Sequence, residues 1–170
     1  GLGFLGHYVG KYLLKINYKV IGFKRENKKT KSQIKIFTGN NLNKFLKLSD
    51  IVVSILPDTN KTKNFINKKF LSLMKKEACL INIGRGSTLN ELDLLSHLDK
   101  NKNFYVSLDV FKKEPLPKNN KFWTQKNVTV TPHAAALTDI DSSIDLMVAR
   151  FNHFKKTGKI KSDVNLNRGY

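Results

Sequence analysis

The strongest constraint on the fold is an alternation between short apolar runs and longer segments whose apolar residues recur at helical spacing. Three runs, at 50–57, 78–83 and 104–110, are almost continuously apolar, which is typical of parallel strands buried on both faces. Strands that alternate with helices predict an α/β fold, a doubly wound parallel sheet with helices on both sides. The predicted strands are 18–23, 34–37, 50–57, 78–83, 104–110 and 128–131, and the predicted helices are 4–16, 41–48, 67–76, 89–98 and 138–156.

Composition narrows the class of protein. The 170 residues, 40% of them apolar, suit one globular domain. No apolar run reaches the roughly 18 residues of a membrane span and no signal peptide leads the chain, so we expect a cytoplasmic protein without a membrane partner. The net charge of +18 is spread along the chain without a nucleic-acid-binding motif, so we expect no nucleic-acid partner. The single cysteine, Cys79, lies in a predicted strand, so we expect an inert thiol, no disulfide and no metal site.

The chain opens with glycines at a spacing that binds dinucleotides. Residues 1–6 fit the pattern G-x-G-x-x-G, and a predicted helix begins inside it. The first glycine permits a tight turn, the second lets the backbone approach a pyrophosphate, and the third allows close packing. Alone the pattern is weak evidence, but the strand expected after the first helix is present at 18–23. We predict a Rossmann-type cofactor loop formed by Gly1, Gly3, Phe4, Leu5 and Gly6.

The end of the second predicted element indicates which dinucleotide is bound. In NAD-specific domains an acidic residue about 20 residues after the glycines binds the ribose 2′-hydroxyl. Here the strand ends in Lys24 and Arg25, and the segment 28–32 reads KKTKS. Cations and hydroxyls at this place suit a 2′-phosphate, so the sequence favours NADP (NADPH) over NAD. A solvated, lysine-rich loop without a ligand is the alternative.

Three further segments carry motifs in a consistent order. They read LINIGRGSTLNELDLLSHLD (80–99), SLDVFKKEPLP (107–117) and VTVTPHAAALTD (128–139). With the glycine loop, they resemble the signature regions of the D-isomer-specific 2-hydroxyacid dehydrogenases. Within that family the chain is most similar to the branch that reduces glyoxylate and hydroxypyruvate. The resemblance implies an NAD(P)-dependent oxidoreductase that reduces a small 2-oxo acid to the 2-hydroxy acid.

The resemblance implies that Arg85, Glu114 and His133 form the catalytic site. Arg85 lies between two glycines, where its planar guanidinium suits a substrate carboxylate; a structural salt bridge is the alternative. Glu114 precedes a proline, and a carboxylate paired with a histidine favours imidazolium and orients the ring; an exposed loop acid is the alternative. His133 follows the last predicted strand and would donate a proton to the oxygen that becomes the hydroxyl.

The remaining histidines and polar strand ends complete the expected assignments. His7, His97 and His153 fall on predicted helices, where we expect packing or surface roles. Thr59 is as plausible a phosphate neighbour as Thr62. The cofactor contacts that the resemblance implies beyond the glycine loop are Leu56, Pro57, Thr62, Ile83 and Asp109, of which Asp109 would approach the nicotinamide carboxamide.

The chain differs from the family at its beginning, since members carry a substrate domain before the glycine motif. We therefore expect a cofactor domain at 1–137 that lacks its first strand, and a helix and tail at 138–170 that pack on the missing substrate domain. On this interpretation the chain is a fragment of a longer enzyme, which we expect to be a homodimer. A catalytically inactive dinucleotide-sensing or scaffolding protein on the same fold is the alternative function.

Overall fold

The computed structural model describes residues 1–25 and 33–160 of the chain. In this part of the chain, helices and strands follow one another in the order that the sequence predicts. The helices are α1 (Phe4–Lys15), α2 (Leu42–Leu48), α3 (Lys68–Leu73), α4 (Glu91–Lys100) and α5 (Ile140–Thr157). The strands are β1 (Ile21–Lys24), β2 (Lys35–Thr38), β3 (Ile51–Ser54), β4 (Cys79–Asn82), β5 (Tyr105–Leu108) and β6 (Val128–Val130).

All strand pairs in the structure are parallel. β1 pairs with β2, and the other four strands form a second sheet in the order β3-β4-β5-β6. Among the described residues, no strand pairs with both β1 and β3. The prediction of an α/β fold with parallel sheets is confirmed.

The chain divides into two compact units, Gly1–Pro132 and His133–Tyr170. The first unit contains both sheets and the helices α1 to α4. The second unit, described as far as residue 160, contains α5. No helix within 1–25 or 33–160 has both the length and the apolar character that crossing a membrane requires.

Two predicted element boundaries are wrong for identifiable reasons. β1 begins at Ile21 rather than at Tyr18, because the Tyr18 N–H donates to the Leu13 carbonyl (3.0 Å) and closes the end of α1. α4 begins at Glu91 rather than at Leu89, because Leu89 is extended and forms an isolated parallel bridge with Ile66. In both places a backbone interaction outweighs the side-chain periodicity on which the prediction depends.

The core of the first unit lies between the four-stranded sheet and the helices beside it. Leu80 in β4 and Leu108 in β5 are fully buried, as are Leu71 in α3 and Leu94 in α4. Burying a leucine side chain contributes about 1.5–3 kcal/mol, so these residues supply much of the stability of the sheet. They also hold the ends of the strands, where the site lies, in a fixed register.

Two helices carry large apolar side chains in contact with solvent. α1 buries only Gly6 and Gly10, and its residues Phe4, Tyr8 and Tyr12 are 94%, 67% and 60% exposed. α5 buries none of its residues. Exposed apolar surface of this extent is typical of faces that bind other protein surfaces.

We expect the isolated 170-residue chain to unfold without a sharp cooperative transition and to bind a hydrophobic dye. The reasons are the exposed apolar faces of α1 and α5 and the unpaired outer edge of β3 among the described residues. Differential scanning calorimetry and dye fluorescence measure both properties, with the complete product of the gene as the control. A single sharp transition of the isolated chain, accompanied by reductase activity, would refute the expectation.

Candidate functional site

The strands of the larger sheet end at one level, so the segments that follow them meet along one edge. Ser54, Asn82, Leu108 and Val130 are paired across β3, β4, β5 and β6. In parallel α/β sheets, ligands bind at the carboxyl ends of the strands. This edge is therefore the candidate site.

The glycine loop lies between the two sheets and contacts both. A Cβ atom on Gly1 would lie 2.7 Å from the Ile55 carbonyl oxygen, just beyond β3. A Cβ atom on Gly22, in β1, would lie 2.6 Å from the Leu2 side chain, which is buried. α1 begins at Phe4, so the positive N-terminal end of this helix lies close to the ends of the strands.

Gly3 and Gly6 are glycines for different reasons. A Cβ atom on Gly6 would lie 2.0 Å from the Gly1 carbonyl oxygen, so the turn itself requires glycine there. A Cβ atom on Gly3 would have no described atom within 4 Å, and the Gly3 φ of −80° suits any residue. The fold does not require glycine at position 3. This supports the prediction that a ligand approaches the backbone closely at this point.

Two more glycines fit the Arg85 loop against its neighbours. A Cβ atom on Gly84 would lie 2.7 Å from both the nitrogen and the oxygen of Leu56. A Cβ atom on Gly86 would lie 2.0 Å from the Phe111 carbonyl carbon. The loop after β4 is thus packed backbone to backbone against the loops after β3 and β5.

Arg85 is exposed between these two buried glycines. Its backbone is extended, and its guanidinium donates through Nη1 to the Gly84 carbonyl oxygen at 2.8 Å. A guanidinium has five N–H groups, so others can form a two-pronged bond to a carboxylate. Within the described residues Arg85 forms no salt bridge with a carboxylate.

Asp109 is buried at the end of β5, only 3% exposed. Its backbone N–H donates to the Asn82 carbonyl oxygen at 3.0 Å. Its carboxylate accepts a hydrogen bond from the Thr131 hydroxyl, which follows β6. The main chain of Asp109 is therefore bonded to β4, and its carboxylate is bonded to the residue that follows β6.

Glu114 is exposed and closes the turn that follows β5. Its Oε1 accepts a hydrogen bond from the Phe111 N–H at 2.8 Å, and the peptide bond to Pro115 is cis. Since Phe111 also packs against Gly86, the Glu114 turn and the Arg85 loop share one contact residue.

His133 is the first residue of the second unit and is exposed. Its φ is 53°, in the left-handed region that non-glycine residues rarely adopt. Strained backbone of this kind costs on the order of 1–3 kcal/mol and is concentrated at functional sites.

The residues predicted to select NADP lie at the end of the smaller sheet. Lys24 is the last residue of β1, and Arg25 follows it and is exposed. The further predicted cluster at 28–32 lies outside the described residues. The structure thus describes two of the cations at the end of β1, which is where the second strand of a dinucleotide domain recognises the ribose.

The hydroxyl of Thr62 is used inside its own loop. It donates to the Pro57 carbonyl oxygen (2.6 Å), accepts from the Thr59 N–H (3.0 Å), and lies 2.8 Å from the Thr59 hydroxyl. Pro57 and Leu56 follow β3 and are half-buried. Ile83 follows β4, is half-buried, and donates its N–H to the Ser54 carbonyl oxygen at 3.1 Å.

Titratable groups on the elements around the site have packing roles. Partial burial lowers the pKa of His97, whose ring lies 4.6 Å from that of Phe104. Burial raises the pKa of the Cys79 thiol, which favours its protonated form. Across residues 1–25 and 33–160, His, Cys, Asp and Glu side chains form no cluster of three or more that could hold a metal ion.

Sequence reasoning missed the polar residues that support the predicted ones. Asn82, Thr88 and Thr131 are hydrogen-bonded to the Arg85 loop or to Asp109. Asn82 gave a signal, since it interrupts the apolar run ACLINI at a position that alternation assigns to the interior. Thr88 and Thr131 gave none, because small polar residues after a strand are ordinary turn residues.

The fold and the strand-end site define a dinucleotide-binding domain of the doubly wound class. The chain belongs to a more particular family: residues 1–135 match the NAD binding domain of the D-isomer specific 2-hydroxyacid dehydrogenases. This confirms the family resemblance of the sequence motifs.

Two curated relatives support the same family assignment. Glyoxylate/hydroxypyruvate reductase A of Photorhabdus laumondii is 36% identical over 170 residues, which are 100% of this chain and 54% of that protein. The corresponding protein of Citrobacter koseri is 32% identical over 171 residues. The chain therefore spans about half the length of the curated relatives it matches.

Solved structures share the fold over the whole chain. A D-isomer specific 2-hydroxyacid dehydrogenase from Xanthobacter autotrophicus, in complex with NADPH and MES, has a TM-score of 0.92 at 31% identity, covering 100% of this chain and 70% of that one. An NADPH-dependent glyoxylate/hydroxypyruvate reductase from Sinorhizobium meliloti, in complex with NADP and sulfate, has a TM-score of 0.91 at 30% identity, covering 100% and 55%.

We expect Gly3→Ala and Gly6→Ala to have separable effects in the complete gene product. Gly6→Ala forces a Cβ atom against the Gly1 carbonyl and should lower the thermal midpoint, because neither backbone segment can yield cheaply. Gly3→Ala should leave the midpoint unchanged and weaken NADPH binding, because only a bound ligand competes for that space. Thermal melts and fluorescence titration with NADPH measure the two effects. Equal NADPH affinity in Gly3→Ala and the unaltered protein would contradict the ligand explanation.

Proposed function

We propose that the chain is the cofactor-binding part of an NADPH-dependent reductase that converts a small 2-oxo acid, of the glyoxylate or hydroxypyruvate type, to the 2-hydroxy acid. The observation that carries the proposal is that the glycine loop and the Arg85 loop both contact the backbone of residues 55–56. A cofactor loop and a carboxylate-binding cation then share one edge of the sheet, as a reductase of 2-oxo acids requires. The family membership of residues 1–135 supports this reaction class.

Arg85 is the residue we assign to the substrate carboxylate. Its loop is fixed by Gly84 and Gly86, and its guanidinium is exposed. A fork-shaped cation binds a planar carboxylate in one orientation, so it would also fix the direction of the adjacent carbonyl group. Orientation of this kind supplies a large share of enzymatic rate enhancement.

His133 is the residue we assign to proton donation, and Glu114 the residue that orients it. A carboxylate beside an imidazole favours the charged ring, which is the form that can donate a proton. When bound, the reduced nicotinamide supplies the hydride, which reduces C2 of the 2-oxo acid. The proton from His133 goes to the oxygen at C2, so that one hydride and one proton convert the carbonyl to the hydroxyl.

The cofactor contacts form a continuous set along the strand ends. Gly3 leaves room for the pyrophosphate, and Lys24 and Arg25 supply cations for the 2′-phosphate. Asp109, held by Thr131, faces the position we assign to the carboxamide. Backbone of the loops at 56–57 and 83–85 completes the set, and Thr62 contributes by shaping its loop rather than by direct contact.

The proposal includes the organisation of the whole enzyme. Since the chain spans 54% of its curated relatives, we assign the substrate domain to a part of the gene product outside this sequence. The exposed apolar face of α5 is the surface we assign to that domain, and the whole enzyme to a homodimer.

We expect His133→Gln to lower kcat roughly 10²- to 10⁴-fold with NADPH and glyoxylate, because a neutral amide cannot act as the general acid. NADPH affinity should not change, since the substitution leaves the glycine loop and the cations at the end of β1 unaltered. NADPH consumption by the complete gene product measures the first effect and fluorescence titration the second. His153→Gln, an exposed histidine on α5, is the matched control and should behave as the unaltered protein.

Two outcomes would decide against the assignment. Unchanged turnover in His133→Gln would remove that residue from the chemistry. Tight NADPH binding by a gene product that reduces neither glyoxylate nor hydroxypyruvate would favour the inactive dinucleotide-sensing protein instead.

We expect Arg25→Gln to raise the KM for NADPH roughly ten- to a hundredfold and to leave the KM for NADH almost unchanged. The reason is that a charged hydrogen bond to the 2′-phosphate is lost, and such bonds contribute about 1.5–3 kcal/mol. Lys19→Gln removes one exposed positive charge just before β1 and serves as the control for net charge. Equal loss of NADPH and NADH affinity would contradict a role in 2′-phosphate recognition.

A further inference from the structure

Arg85 has an unusually well-bonded carbonyl oxygen for an exposed loop residue. This oxygen accepts the Thr88 hydroxyl at 2.7 Å, the Thr88 N–H at 3.2 Å and the Asn82 side-chain amide at 3.4 Å. Thr88 and Asn82 are both fully buried. A buried hydroxyl or amide needs a hydrogen-bond partner, and for both side chains the partner is the main chain of Arg85.

In the sequence, Asn82 and Thr88 lie on either side of Arg85. Asn82 precedes Arg85 by three residues and Thr88 follows it by three, so the pattern is N-x-x-R-x-x-T. Asn82 also accepts the Gly84 N–H through Oδ1 at 3.3 Å. The Thr88 carbonyl oxygen accepts the Ile66 N–H at 2.9 Å, which ties Thr88 itself to the loop before α3.

What these bonds control is the orientation of one peptide plane. Gly84 and Gly86 fix the positions of the residues on either side of Arg85 by backbone contact. The peptide between Arg85 and Gly86 can still rotate, since glycine imposes little restriction of its own. The bonds to the Arg85 carbonyl oxygen stop that rotation, and the direction in which the Arg85 side chain leaves the loop depends on it.

We propose that Thr88, assisted by Asn82, is a positioning residue that aims the Arg85 guanidinium at the carboxylate of the 2-oxo acid. This rests on the proposed function, because it assumes that Arg85 binds that carboxylate. The Arg85 Nη1 bond to the Gly84 oxygen completes the arrangement from the side-chain end. Main chain and side chain of the cation are then both held before substrate arrives, which reduces the ordering that substrate binding has to impose.

The test uses Thr88→Val, which keeps the shape of the side chain and removes its hydroxyl, and Thr88→Ser, which keeps the hydroxyl. Thr124→Val is the matched control, since the Thr124 hydroxyl makes the same kind of bond, to the Lys121 carbonyl oxygen at 3.0 Å, in another short turn. Steady-state kinetics of the complete gene product with glyoxylate and NADPH gives the KM for each substrate, and a thermal melt gives the midpoint.

The expected result is a KM for glyoxylate raised roughly ten- to a hundredfold in Thr88→Val, with the KM for NADPH close to that of Thr124→Val. Thr88→Ser should recover most of the glyoxylate KM. The proposal is overturned if Thr88→Val keeps the glyoxylate KM of the control, if both KM values rise together as the midpoint falls, or if Thr88→Ser is as impaired as Thr88→Val.

Arg85→Gln separates this proposal from the proposed function. A glyoxylate KM raised in Arg85→Gln but normal in Thr88→Val would overturn only the positioning role of Thr88. Unaltered kinetics in Arg85→Gln would overturn the carboxylate-binding role of Arg85, and with it the proposed function.

Discussion

Close contact between main chains is the constraint on which the rest of the site depends. Gly1 and Gly84 both lie against the backbone of residues 55–56, and Gly86 lies against Phe111. A methyl group at any of these positions would come within 2.7 Å of backbone atoms, closer than unbonded atoms approach. The loops after three neighbouring strands are therefore packed as one layer, and the functional side chains project from that layer rather than from independent loops.

The chemistry that this layer can support follows from which groups are fixed and which are exposed. Asp109 is buried and bonded on both sides, whereas the guanidinium of Arg85 is exposed on a loop whose main chain is held. A fixed, buried acceptor suits an uncharged donor such as an amide, and an exposed fork-shaped cation suits a carboxylate that arrives from solvent. This difference supports the partners proposed for the two residues, the cofactor for Asp109 and the substrate for Arg85.

The surfaces of α1 and α5 are of two kinds. Part of α1 packs inside the first unit, whereas the exposed aromatic residues of α1 and the apolar face of α5 are covered by no described residue. α1 packs closely through Gly6 on the Gly1 carbonyl and through Gly10 on the side chain of Ile34, just before β2, whereas its aromatic residues Phe4, Tyr8 and Tyr12 are exposed. α5 is amphipathic in sequence but buries no residue of its own. Apolar side chains in these positions lose the stabilisation that burial would give them, which is typical of faces that bind other protein surfaces.

The sequence alone determined the order of helices and strands, because periodicity of two and of 3.6 residues records which faces of each element are buried. It also determined the family, since motifs at several separated places are far more specific than the glycine pattern. It could not locate the start of β1 or the start of α4, because the backbone hydrogen bond of Tyr18 and the β-bridge of Leu89 leave no trace in the side-chain pattern. Nor could it reveal that Asn82 and Thr88 converge on the Arg85 carbonyl oxygen. Those features were decided by the folded structure, because they depend on how the backbone bends and on which polar groups become buried, and the spacing of apolar residues carries no record of either.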